Sequence, residues 1–246
     1  MTDAVVVIPA LNEERAIRAV AQDALAHAGK VIIVDDGSND GTGAAIADLP
    51  IECIRHVAPQ GKASALQDGF RRALELDCDG VLTMDGDGQH SAADLPRLLA
   101  AARRYPNHIV IGARLRGRDA TPGKNRFGNR QADFWVSWAC GAPIADSQSG
   151  QRFYPRAAVE LALTLPHGGF VFESEILIEA ARRGIAVISV PIMARYADDR
   201  RASHFKPLRD VSRITVMIAW RLIRDGLKLP GLWCALTRAP MIVEEP

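Results

Sequence analysis

Cysteine is scarce in this 246-residue chain, and Cys53, Cys78, Cys140 and Cys234 show no CxxC or other metal-ligand spacing. They read as reduced core or surface thiols, which fits a cytoplasmic protein. Glycine never gathers into GxGxxG after the first strand, where the sequence runs PALNEE, so a dinucleotide-binding unit is excluded. No GxxxxGK[ST] occurs either, which excludes a P-loop. Long apolar runs are missing too. Ile214 to Trp220, the longest near the C-terminus, is broken by Arg221 and falls far short of the roughly 20 residues that span a bilayer. A soluble or monotopic protein is expected. The chain enters an apolar strand almost at once, so no signal peptide is expected, nor is a nucleic-acid partner.

Hydrophobic residues make up 48% of the sequence, enough for a full core in one large domain or two small ones. The net charge of +1 is unevenly spread. Residues 1–100 carry a balance of −8 and residues 101–246 a balance of +9. An acidic half that holds cations and a basic half that meets anions would produce this split, as would scattered surface charge.

Ala4 to Ile8 is an all-apolar, β-branched run ended by Pro9, as expected of a buried parallel strand. A helix is predicted from about Asn12 to His27, with Glu13 and Glu14 in its first turn. Strands follow at Val31–Val34, Ile51–Arg55 and Val81–Met84. A helix over Gly61–Leu76 has Ala65, Leu66, Gly69, Phe70 and Ala73 on one side. This alternation means βαβ units, a mostly parallel central sheet flanked by helices, and an α/β fold. Right-handed crossovers bring all the strand C-termini to one edge, where ligands bind in such sheets. Three polar loops fall there: Pro9 to Glu13, Asp35 to Thr42 and Asp85 to His90.

The last of these, MDGDGQH, carries the clearest chemistry. Strand alternation predicts that Asp85 and Asp87 point to one side. Two carboxylates that close repel by about 4 kcal/mol at roughly 4 Å and an effective dielectric near 20. A proton or cation between them relieves this, and hard oxygen ligands suit Mg²⁺ or Mn²⁺. A calcium loop starting at Asp85 would need Gly and Glu where His90 and Pro96 stand. Lys62, at a helix start after Gly61, could meet a phosphate or simply face solvent.

VVVIPALNEE, VIIVDDGSNDGT, GKASALQDGF and MDGDGQH, in that order and spacing, resemble family 2 glycosyltransferases of the GT-A fold. The likeness is closest to the polyprenyl-phosphate branch, which includes dolichyl-phosphate mannosyltransferases. It continues through IGAR, DSQSGQRFYPR, FVFESEILIEAARRG and VPIMARYADDRRASHFKPLRD, and covers about residues 4–215. The resemblance implies that Pro9, Asn12, Glu13 and Asp36, with Asp35 as a neighbour, hold the nucleoside. It implies that Asp85, Asp87 and Gln89 bind the metal and the diphosphate. Arg114 and Arg126, with Arg130 beside them, would take an acceptor phosphate. A loop containing Arg200, Ser203 and His204 would close over the site.

The implied reaction is an inverting, metal-dependent transfer of a hexose from a nucleotide-diphosphate sugar. A lipid-phosphate acceptor needs cations and no general base. A hydroxyl acceptor would need a carboxylate, for which Glu173, Glu175 and Asp146 are the candidates. Eight Lys and Arg against one acid between residues 103 and 130 favour the phosphate. Two rivals stand beside this: the same fold with a hydroxyl acceptor, and a non-catalytic nucleotide-sugar binder. A sugar-nucleotide pyrophosphorylase is set aside, because PALNEE is not its Gly-rich, Arg-containing loop.

Residues 1–206 are expected to form the catalytic domain and 207–246 an amphipathic helix and tail. At about 100° per residue, Arg209, Arg213, Arg221, Arg224 and Lys228 share one face. Val211, Ile214, Ile218 and Leu222 share the other. With Trp220 nearby, such a helix suits peripheral contact with an anionic membrane on its cytoplasmic face, or packing on the core. Pro230 to Pro246 carries no recognisable function.

Overall fold

The computed structural model describes residues 3–116, 123–166, 171–193 and 207–244, with side chains for all of these except 123–127 and 207–214. Seven strands form one mixed sheet in the order β3-β2-β1-β4-β6-β5-β7. They are β1 Ala4–Ala10, β2 Val31–Asp35, β3 Glu52–Arg55, β4 Gly80–Thr83, β5 His108–Arg116, β6 Arg152–Pro155 and β7 Ala186–Met193. β6 lies antiparallel between β4 and β5, and the other pairs are parallel.

Side chains along β1 alternate between two cores, which is why a strand buried on both faces reads as a continuous apolar run. Val5 and Val7 face α3 (Lys62–Glu75), α6 (Arg156–Leu163) and α7 (Phe172–Arg182). Val6 and Ile8 face α1 (Ile17–His27) and α4 (Leu95–Arg104). Gly69 is needed where α3 crosses β1, because any Cβ there would run into the Val7 side chain. The predicted inner side of α3 is buried as expected.

Three boundaries differ from the sequence expectation. β1 continues through Pro9, which pairs with Val34. Its other neighbour β4 has already ended at Thr83, opposite Val7, so the missing N–H of proline costs little there. α1 starts at Ile17, not near Asn12, and Glu13 and Glu14 lie outside it. Asn12 instead adopts φ 58, and the amides of Asn12, Glu13 and Glu14 are taken by Ser38, Thr42 and Asp40 of the next loop. The C-terminal helix, α8 (Pro207–Arg224), stops four residues early. Gly226, Leu227 and Lys228 all have positive φ, and Pro230 opens a further helix, α9 (Leu229–Thr237).

On α8, Ile218 and Leu222 join the same core as Phe70 and Ile176, so the expected apolar face is used in packing where its side chains are described. α5 (Gly123–Cys140) lies against both α8 and α9. The tail returns to the sheet, where the Ser189 amide donates to Met241 and the Val243 amide to Ser189. Among the described residues no helix is long and apolar enough to cross a membrane.

Candidate active site

The three loops named from the sequence meet at the C-terminal edge of β1, β2 and β4. Asn12 ties the first to the second: its amide donates to Ser38 Oγ at 2.8 Å, and its Oδ1 accepts from the Asn39 amide at 2.9 Å. The Glu13 amide donates to Thr42 Oγ1 at 2.8 Å. Asp35 is buried, accepts from the Ser38 amide, and has Arg55 Nε 3.5 Å from its Oδ2.

Asp36 ties the second loop to the start of α3. It accepts from the Gln60 and Gly61 amides at 2.8 and 2.7 Å, and lies 2.7 Å from His56 Nδ1. The other ring nitrogen of His56 lies 2.9 Å from Asp68 on α3. His56 is a site residue that sequence reasoning missed, since nothing in its local pattern marks it as a link between two acids.

This staple delivers Lys62 to the carboxylates. Gly61, at φ 98, turns the chain into α3, and Lys62 Nζ donates to Asp85 Oδ1 at 2.7 Å and to Glu173 Oε2 at 2.9 Å. Of its two sequence readings, plain exposure to solvent is therefore the one that fails. Burial opposes the charge on Lys62, but Asp85 and then Glu173 outweigh it and raise its pKa. Burial also opposes the charge on Asp85. Lys62, and then His90 at 3.7 Å, hold its carboxyl down at about 2.

Asp85 and Asp87 do not sit on strand positions as predicted. β4 ends at Thr83, and the pair lies in the turn that follows. Asp87 is set there by its own loop, accepting from the Gln89 amide at 3.0 Å. Burial, and next the charge of Asp85, push the Asp87 carboxyl up. Two mutually repelling carboxylates at one turn fit a hard divalent cation, which would relieve that repulsion. Asp85 and Asp87 are the side chains that would hold it. Among the described residues no cluster of three or more His, Cys, Asp or Glu forms a closed metal cage.

The segment DSQSGQR supplies the far wall, and its three distinctive residues each have a mechanical task. Asp146, at φ 53, accepts from Arg114 Nε and Nη2 at 2.8 and 2.7 Å and from the Arg114 amide at 2.7 Å. Gly150 backs onto Asp85 so closely that a Cβ would fall inside its carboxylate. Arg152 is fully buried and donates to the carbonyls of Ser147 and Ser149 at 2.7 Å and of Glu173 at 3.2 Å. Beneath them Asp133 of α5 accepts from the Asp146 and Ser147 amides. Burial, then the charge of Asp146, push it up to about 6.

Other expected site residues stand apart. Glu175 points to α8, with Arg221 Nη2 3.9 Å away, and burial raises its pKa. Two residues apart on a helix, Glu173 and Glu175 face nearly opposite ways. Arg130 is exposed on α5. Arg200, Ser203, His204 and the side chain of Arg126 lie outside the described residues.

Residues 5–158 match the family model described as glycosyl transferase family 2. A UDP-N-acetylglucosamine–dolichyl-phosphate N-acetylglucosaminyltransferase of Methanococcus voltae is 29% identical over 214 residues, 78% of this chain and 85% of that one. An undecaprenyl-phosphate mannosyltransferase of Micrococcus luteus is 32% identical over 178 residues, 66% of this chain and 70% of that one. Glucosyl-3-phosphoglycerate synthase from Mycobacterium tuberculosis, solved with Mn²⁺, UDP-glucose and phosphoglyceric acid, superposes with a TM-score of 0.69 at 23% identity. That match covers 91% of this chain and 79% of the other.

Proposed function

The chain belongs to glycosyl transferase family 2, and from that membership we propose that it moves a hexose from a nucleoside-diphosphate sugar to a lipid phosphate, with inversion at the anomeric carbon. One observation carries the choice of acceptor: each of the three carboxylates that the sequence offers as a general base faces a cation. Asp146 is clamped by Arg114, Glu173 is held by Lys62, and Glu175 faces Arg221. A hydroxyl nucleophile needs a carboxylate able to take its proton, whereas a phosphate is ionised at neutral pH and needs only cations to hold it. Two relatives are named for dolichyl- and undecaprenyl-phosphate acceptors, which supports the same reading.

In this reading the acceptor phosphate oxygen bonds to the anomeric carbon as the bond to the donor's diphosphate breaks. The loops carrying Asn12, Glu13, Asp35 and Asp36 hold the nucleoside. Lys62 neutralises negative charge beside Asp85, and Arg114, fixed by Asp146, lines the acceptor side. Asp85 and Asp87 would hold Mg²⁺ or Mn²⁺, which would supply Lewis-acid stabilisation of the leaving diphosphate. Residues 1–206 form the catalytic unit, and the protein meets its lipid peripherally at the cytoplasmic membrane face.

The test is transfer of radiolabelled sugar from a panel of GDP- and UDP-sugars into a total lipid extract with Mn²⁺ or Mg²⁺. Acid-labile label in the organic phase is expected. Label that enters only water-soluble or acid-stable products would refute the lipid-phosphate acceptor.

A further inference from the structure

The outer surface of α8 and α9 carries apolar side chains that no packing within the described chain explains. Eleven large hydrophobic side chains are exposed among the described residues, and seven of them fall between Val216 and Leu236. Their spacing is regular. On α8 Val216, Trp220 and Ile223 follow one another at i, i+4 and i+7, on α9 Leu229, Trp233 and Leu236 do the same, and Leu227 stands exposed in the turn between the helices. Each helix therefore presents one continuous apolar stripe outward. The stripe on α8 is not the one that packs, since Ile218 and Leu222 on the other side are buried in the core.

The charges around the stripes have one dominant sign. Between Thr215 and Arg238 the sequence holds Arg221, Arg224, Lys228 and Arg238 against the single acid Asp225. Arg221 turns inward to Glu179 at 2.8 Å and contributes to packing. The Arg224 guanidinium lies over the Trp220 ring, 4.9 Å from its centroid. This places a cation directly on an exposed indole, an amphipathic pairing suited to the boundary between headgroups and acyl chains.

We infer that the outward stripes of α8 and α9 form a membrane-docking ridge, whose occupant is the surface of a bilayer containing anionic phospholipid. Trp220, Trp233 and their aliphatic neighbours enter the interface while Arg224 and Arg238 meet lipid phosphates; Lys228 is held inward, donating to the Ala139 carbonyl at 3.0 Å. This deepens the proposed function by naming the surface that brings the enzyme to its lipid. It also replaces the stripe expected from the sequence, which the core consumes. A bilayer fits better than a second copy of the chain, because two such ridges face to face would bring their cations together.

The test is flotation of the purified full-length protein with vesicles of phosphatidylcholine alone or with one third phosphatidylglycerol. Trp220→Ser combined with Trp233→Ser changes only exposed positions, so its thermal midpoint is expected to match the parent. The parent should float with the anionic vesicles, and the double variant should bind them on the order of a hundredfold more weakly. Absence of parent binding, or equal binding by the variant, would overturn the ridge. So would a dimer of the parent that the same substitutions dissolve. Sugar transfer to a short-chain, water-soluble polyprenyl phosphate separates this from the reaction itself. It should persist in the double variant. Its absence from the parent, with vesicle binding intact, would refute the proposed acceptor and leave the ridge standing.

Discussion

Lys62 and Glu173, brought together from the first turns of α3 and α7, meet at 2.9 Å, and the same ammonium holds Asp85 at 2.7 Å. Lys62 is thus the cation on which two site carboxylates depend. Among the described residues, Lys62→Met should leave Glu173 paired only with the more distant Arg152 at 3.9 Å and Asp85 only with His90 at 3.7 Å, and lower stability by roughly 3 kcal/mol, the lower end of the cost of breaking a desolvated ion pair from one side. Adding Glu173→Gln should recover part of that loss, because one of the stranded charges is then gone. Chemical denaturation of the two variants measures this, and equal midpoints for the single and double variants would contradict it.

Gly150 offers a cleaner separation of folding from chemistry. The atom that a Cβ would strike is the carboxylate end of Asp85, a side chain that can rotate away, not the backbone. Gly150→Ala should therefore fold, at a cost of about 1–3 kcal/mol for overpacking. Its Asp85 would be displaced, and transfer activity should fall by at least about a hundredfold, the scale of loss expected when a reacting group is misplaced by an ångström. Activity close to that of the parent would mean that the position of Asp85 is not critical.

The divalent cation makes its own prediction. Asp87→Asn removes a charge with little change in shape, and with it the burial cost and the repulsion from Asp85 that together raise the Asp87 carboxyl. Metal-dependent binding of donor should drop by more than about tenfold, since one hard anionic ligand is gone. Calorimetric titration with donor in the presence of Mn²⁺ measures it. Chelation of the metal should bring the parent to the level of the variant. Unchanged affinity in either experiment would remove the metal from the site.

The sheet, its parallel core and the three convergent loops were legible because they follow from local patterns: β-branched runs, turn clusters and helix periodicity. The start of α1 was not, because it depends on Ser38, Asp40 and Thr42, residues distant in sequence that capture the backbone of Asn12 to Glu14. His56 was invisible for the same reason, its role existing only once Asp36 and Asp68 stand on either side of it. Glu173 and Glu175 were read as equivalents, although helix geometry turns one toward Lys62 and the other toward Arg221. The motif residues Asp146, Gly150 and Arg152 were noticed as a pattern, but the work of each is steric or mechanical and appears only in three dimensions.

Arg114 and Asp146 form a paired fork, two side-chain bonds reinforced by the Arg114 amide. Lysine cannot reproduce a planar two-point contact. Arg114→Lys should leave Asp146, whose carboxyl hydrogen bonding to Arg114 keeps below its ordinary pKa, incompletely paired. We expect kcat/KM to fall by about a hundredfold or more, with a loss of stability near 2 kcal/mol for weakened charge-assisted bonds. A double-mutant cycle with Asp146→Asn tests whether the two act as a unit. Additive effects would mean that Asp146 does not position Arg114.

Asp133 gives the site a calculable pH dependence. Its carboxyl is pushed up to about 6 by burial and by Asp146, from an unfolded value near 3.9. The folded protein therefore holds a proton more tightly than the unfolded chain. The stability this contributes is fully present below about pH 4 and is lost as pH rises through about 6, a change of roughly 3 kcal/mol. Asp85 works in the opposite sense. Its carboxyl is held at about 2 by Lys62 against burial, so its contribution is present above about pH 4 and is lost as pH falls toward 2. Between pH 4 and 6 the Asp87 and Glu175 carboxyls, also raised by burial, change stability in the same sense as Asp133, so the difference between parent and an Asp133 variant isolates the Asp133 contribution. Asp133→Asn should flatten the stability curve of the parent in that window and leave its acid limb intact. The thermal midpoint of parent and variant, followed from pH 3 to 8, checks this. A curve of the same slope in both would place the carboxyl of Asp133 in its ordinary range. Asp133 would then accept from the Asp146 and Ser147 amides as a carboxylate from about pH 4 upward, and the loop that fixes Arg114 would keep its charged anchor throughout that window.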